Sequence, residues 1–225
     1  MDKLILKTDN VTLWILSKEN LPQLAAFIVD QNYRNNKGQS VDREMLDKEY
    51  ETILQEEVLF FEHSFIIAAR DSNGAIIGSI RVMNWSNSSQ PIPLTKIFGE
   101  HLINKTELQK KYGYIWHIGR FAVNKKCNCK RLFILLILYA ITPMFKYAKG
   151  VLLAEVDERL SIVLQMMKIN LMPLSESKVY IGSRTIPMMV TKEGLCEFML
   201  DHTAMFHRFK QANCYTAQYR DLEYV

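Results

Sequence analysis

The apolar positions of this chain fall into short strand-like runs separated by stretches of helical period. Val11 to Leu16 alternates weakly and predicts a first strand. Asn20-Leu21-Pro22 opens a helix, with proline in the first turn, and Leu24, Phe27 and Ile28 share a face at i, i+3, i+4 spacing. Asn32 to Ser40 is polar and reads as a loop, and Asp42 to Glu57 as a second, charged helix capped by Asp42 or Ser40. Ser64 to Arg70 and Ala75 to Met83 are two strands joined by Asp71-Ser72-Asn73-Gly74, whose Asn-Gly step accepts positive φ. Asn84 to Pro93 is a Ser/Asn/Pro loop, and Thr95 to Lys111 a short helix with a linker. Tyr114 to Val123 predicts a central strand. Lys130 to Lys149 predicts a long apolar helix stopped by Gly150, with Pro143 expected to kink it or end it early. Val151 to Val156 has the continuous apolar character of a buried parallel strand. Glu158 to Asn170 follows as a helix, Val179 to Thr191 as a hairpin turning at Gly182-Ser183, and Lys192 to Phe209 as a final helix.

This alternation is that of an α/β fold with a mixed central sheet flanked by helices. A length of 225 residues suits one domain over 1–225, with a C-terminal extension from about residue 192. The net charge of +4 is mild, and no arginine-rich or RNP-type segment points to nucleic acid. The first residues lack the long apolar core of a signal peptide, and Leu132 to Ile141 is too short to span a bilayer. Cys127 and Cys129 have no partner pair at zinc spacing, so no metal is expected. The reading is a reduced, cytoplasmic protein without a transmembrane segment.

The chemistry concentrates around the central strand. A cationic loop follows it, with Lys125, Lys126, Asn128, Lys130 and Arg131 leading into the apolar helix. Strand, basic loop and helix N-terminus together form an anion cradle, where the helix dipole and free N–H groups face a phosphate. An acyl-thioester carrier fits there, phosphate at the helix and pantetheine arm along the strand. The plainer reading of the loop is a solvated helix start.

Trp116-His117-Ile118-Gly119-Arg120-Phe121-Ala122-Val123 resembles the W-E-I-S-R-F-A-V signature of the acyl-homoserine-lactone (autoinducer) synthases and the N-acyl amino acid synthases, two branches of the GNAT acyltransferases. Ile77-Gly78-Ser79-Ile80-Arg81-Val82 is similar to their G-S-x-R-L strand, and Pro91 to Phe98 resembles a proline-and-leucine segment of the N-acyl amino acid synthases. The likeness covers roughly residues 64–160. It implies a GNAT fold (that of the acyl-CoA N-acyltransferases) and transfer of an acyl chain to an amine. The implied co-substrate is acyl-phosphopantetheine on an acyl carrier protein, or acyl-CoA, with no tightly bound cofactor.

Two departures from that pattern matter. Histidine stands at position 117 where the resemblance places glutamate, so His117 is an alternative base, a sign of altered substrate, or an ordinary sheet histidine. The loop from Lys125 to Lys130 has no glycine with which to wrap a pyrophosphate, which favours a single phosphopantetheine on an acidic carrier protein over coenzyme A. Arg120 and Arg81 lie in apolar strands and must be paired, either by a ligand or acceptor carboxylate or by a structural ion pair. Glu155 is the strand carboxylate for a base or for a partner to Arg120. Asp157 reads equally as the N-cap of the next helix. The thioester arm is assigned to Phe121, Ala122 and Val123, whose N–H groups would meet the oxyanion. Leu164, Met166, Met167, Leu171, Met172, Met188 and Met189 are apolar enough for an acyl pocket or for plain core.

The sequence therefore predicts an N-acyltransferase moving a medium or long acyl chain from carrier-protein thioester to an amino acid or other small amine. The N-terminal Trp14, Phe27 and Asp30 do not reproduce the order of the set with which autoinducer synthases bind S-adenosylmethionine. A small-acyl acetyltransferase on acetyl-CoA and a non-catalytic acyl- or carrier-binding module are the alternatives.

Overall fold

A computed structural model of the chain describes residues 1–8, 11–35, 42–127, 130–180 and 183–205. The chain divides into two compact units, one of residues 1–81 with 120–140, the other of residues 82–119 with 141–225. The secondary structure is α/β with a mixed sheet, as the residue pattern predicts.

The first unit is built on antiparallel strands β1 (Lys3–Lys7), β2 (Thr12–Ile15) and β3 (Ser64–Arg70), followed by β4 (Ile76–Asn84) up to Arg81. The turn between β3 and β4 is set by Asp71. Its Oδ1 accepts from Asn73 N and Ala75 N, both at 2.9 Å, and Gly74 takes φ +80°. Helices α1 (Leu21–Asn35) and α2 (Arg43–Phe60) cover one face. Asp42 caps α2 by accepting from Glu44 N at 3.3 Å. Leu24, Phe27 and Ile28 of α1 are buried with Ile53 of α2 and Ile66 and Ala68 of β3. At Gly78 a Cβ would stand 3.0 Å from Leu136 and 3.2 Å from Leu132, so the glycine lets the strand approach the helix that carries these leucines.

β1 has no counterpart in the sequence reading. Asp2 ties it down: its Oδ1 accepts from Ser17 N, Ser17 Oγ and Asn20 Nδ2, and its Oδ2 from Arg70 at 3.0 Å. Burial opposes the charge, yet these four donors outweigh it and hold the carboxyl below its ordinary 3.8. A depressed folded pKa stabilises above the unfolded value and is lost as pH falls through the folded one. Asp2→Asn is therefore expected to cost about 2 kcal/mol near neutrality. The cost should shrink below pH 3.8, which urea melts at the two pH values would show.

The second unit holds the start of β5 (Ile115–Val123), then β6 (Val151–Asp157), β7 (Met172–Pro173), β8 (Lys178–Tyr180) and β9 (Ser183–Thr191). β5 and β6 are parallel from Ile115↔Val151 to Ile118↔Ala154, and β9 pairs antiparallel along β6 through Asp157↔Thr185. Thr95 to Lys111 is two helices, α3 (Pro93–Phe98) and α4 (Lys105–Tyr112), parted at Gly99, whose φ is +107°. Helix α5 (Lys130–Lys146) runs through Pro143 and ends one turn later, where proline forfeits a single ladder bond. Helix α6 (Glu158–Met166) stops short of Asn170 because Lys168 turns left-handed at φ +62°. The final helix, α7, covers Cys196–Asp201, and its expected continuation to Phe209 lies partly outside the described residues, as does the Gly182 turn. No helix among the described residues is long and apolar enough to cross a membrane.

Candidate active site

The residues singled out by sequence fall into two clusters. In the first unit, Arg81 is buried and its Nη1 lies 2.5 Å from Glu57 Oε1 and 3.3 Å from Glu56 Oε1. Its guanidinium also sits 4.8 Å from the centroid of the Phe60 ring. Arg120 donates from Nε to Glu57 Oε1 and from Nη2 to Glu56 Oε1, both at 2.8 Å. Two strand arginines and two adjacent helix carboxylates thus neutralise one another. These ion pairs fasten α2 to the two strands that carry the arginines. Glu56 and Glu57 are not among the residues that the sequence motifs single out. The signal is there: Ile53, Glu57 and Phe60 share the helical face that is buried in α2.

Arg120 has φ +53°, a left-handed conformation that costs a non-glycine residue roughly 1–2 kcal/mol. Ser79, fully buried, donates to the Arg120 carbonyl at 2.9 Å and helps hold this kink. Beyond it, Phe121 packs edge-on against Phe133 at 4.9 Å, and Ala122 lies against the α1/β3 core. Val123 is half-buried, and Asn124 N donates to Ile77 O at 2.9 Å. Asn124 Oδ1 then accepts from Lys126 N at 3.0 Å, shaping the basic loop. Lys125, Lys126 and Arg131 are exposed, whereas Asn128 and the side chain of Lys130 lie outside the described residues.

The second unit holds the other cluster. His117 is fully buried, and its Nε2 lies 3.0 Å from Oε1 and 3.1 Å from Oε2 of Glu155. The parallel register explains the meeting: His117 stands beside Leu153, and Glu155, two residues on, projects from the same face of β6. A carboxylate only accepts, so a neutral imidazole carries its proton on Nε2 and presents a lone pair at Nδ1. Nε2 is thus the nitrogen that faces Glu155, and Nδ1 the one without a hydrogen-bond partner among the described residues. Asp157 is the N-cap of α6, accepting from Leu160 N at 2.9 Å. The methionines divide: Met188 is buried, Met167 half-buried and Met166 largely exposed. Among the described residues no three His, Cys, Asp or Glu side chains gather as a metal site requires.

No family model and no curated protein sequence matches the chain. Solved structures do. FeeM, an N-acyl amino acid synthase from uncultured soil microbes, matches with a TM-score of 0.59 at 14% identity, over 84% of this chain and 96% of that one. FdhC, a nucleotide-linked sugar GNAT, matches with a TM-score of 0.51 at 13% identity, over 89% and 97% of the two chains. The chain has a GNAT fold. BjaI, a CoA-dependent acyl-homoserine lactone synthase solved with SAM and isopentyl-CoA, shares the GNAT fold at a TM-score of 0.53 and 12% identity, over 81% of this chain and 79% of its own.

Proposed function

We propose that the chain is an N-acyltransferase that moves an acyl group from a thioester to a small primary amine. The observation that carries this reading is the buried His117–Glu155 pair with His117 Nδ1 left unpartnered. The likeness in fold to FeeM and BjaI supports it. The amine lone pair attacks the thioester carbonyl carbon, and His117 Nδ1 takes the N–H proton. Glu155 holds the ring and stabilises the imidazolium as it forms. Collapse breaks the C–S bond, and the thiolate leaves and is protonated. Arg81 and Arg120 hold the strand geometry rather than the substrate.

The donor is an acyl-phosphopantetheine on a carrier protein, docked through Lys125, Lys126 and Arg131, and the chain transferred is medium or long. The glycine-free loop supports this choice over coenzyme A. The acceptor is an amino acid. Mass spectrometry of lipids extracted from cells expressing the chain tests these assignments together. An N-acyl amino acid present with the wild type and absent with His117→Gln is the expected result. Acetylated small amines alone would instead support the acetyl-CoA alternative.

A further inference from the structure

In the second unit, three chain segments bring cations and tyrosines to one patch. α4 ends in Lys110 and Lys111 before Tyr112, β5 is entered through Tyr114, and α5 ends at Lys146 with Tyr147 and Lys149 following. The rings of Tyr114 and Tyr147 stack with centroids 3.9 Å apart. Lys111 Nζ lies 4.9 Å from the Tyr112 ring centroid and Lys146 Nζ 5.5 Å from that of Tyr147. Val151 N donates to Tyr114 O at 2.9 Å, which brings the Lys149-Gly150 turn to the same edge. Lys192 Nζ donates to Tyr147 O at 2.7 Å and adds a further ammonium at the end of α5. Lys110, Lys111, Lys146, Lys149 and Tyr114 are exposed, and Glu193 is the carboxylate next to Lys192 in sequence.

Helix dipoles account for part of this charge, since cations favour the C-terminal turns of α4 and α5. They do not account for Lys149 beyond the helix, or for a stacked tyrosine pair at the surface. We propose that this patch docks the protein on an anionic lipid bilayer. Tyrosine has an apolar body and a polar tip and settles at the headgroup level, while lysine lays its stem along apolar surface and keeps its ammonium among the phosphates. The tyrosines among the cations are what favour the headgroup region of a bilayer over an acidic protein. The cations here are all lysines. The proposal stands apart from the acyltransferase reading, and either can fail without the other.

The test is co-sedimentation of the full chain with vesicles of phosphatidylcholine, with and without phosphatidylglycerol. Binding is expected only with the anionic lipid and is expected to weaken as salt rises. Lys110→Glu combined with Lys149→Glu should weaken it about 25-fold or more, from roughly fivefold for each lysine at an anionic surface. Tyr114→Ala should weaken it severalfold. Lys7→Glu with Lys18→Glu, an equal change of charge on the first unit, should leave it within about twofold, and circular dichroism should show every variant folded. The proposal is overturned by equal binding to pure phosphatidylcholine, by no binding to anionic vesicles at low salt, or by equal loss in the two double variants. It is also overturned if an acidic carrier protein binds through these lysines while the vesicles do not.

Discussion

His117→Gln is expected to lower turnover by about 10²- to 10⁴-fold, the range that a positioned general base contributes. Glutamine approximates the volume of histidine and keeps an N–H to donate to Glu155, so the fold should survive and the melting temperature should change little. What it lacks is the basic nitrogen that Nδ1 supplies. Glu155→Gln keeps the ring in place but cannot stabilise an imidazolium, so an intermediate loss is expected, carried by kcat rather than KM. Steady-state kinetics on both variants checks the pair. A His117→Gln protein with wild-type kcat would remove the histidine from the chemistry and leave it an ordinary sheet residue.

The second large effect is on stability. Glu57→Ala should cost about 3–5 kcal/mol, because it takes a buried carboxylate from two guanidinium groups, one of them buried. Arg81→Ala should cost a similar amount by leaving the buried Glu57 short of a partner. Replacing both with apolar residues of similar volume, Glu57→Leu with Arg81→Met, should cost less than either single truncation, since no buried charge is then left over. Arg120→Ala should lose stability and activity together, because the same side chain anchors α2 and holds the kink. Urea denaturation of the set decides this. An Arg120→Ala variant with an unchanged melting curve and no activity would return that arginine to the substrate.

Local chemistry made much of the fold legible. The β3–β4 hairpin follows from Asp71, Asn73 and Gly74, whose turn bonds span four residues or fewer, and β3 has the bounds read from the sequence, Ser64 to Arg70. The continuous apolar run of β6 reads correctly as a parallel strand because it is covered on both faces. β1 escaped because only Leu4, Ile5 and Leu6 lie between its lysines, and what secures it is Asp2 reaching Ser17, Asn20 and Arg70. For the site, sequence singled out His117, Glu155, Arg81 and Arg120 but not who pairs with whom. The sequence offers Glu155 as a base or as a partner for Arg120, and the register of two parallel strands brings it to His117. Glu57 was hidden for a related reason. A carboxylate on a buried helix face is evident only once Ile53 and Phe60 are known to point inward.

The central claim is amine-dependent cleavage of an acyl thioester. Its most direct test follows thiol release from acyl-carrier protein, and in parallel from acyl-CoA, by the purified chain with a panel of amino acids and small amines. The account predicts thiol release that requires both the protein and one class of amine, with an equal amount of amide identified by mass and with both lost in His117→Gln. Tight binding of acyl carrier with no thiol release across the whole panel would contradict it and leave the chain a binding module on a GNAT fold.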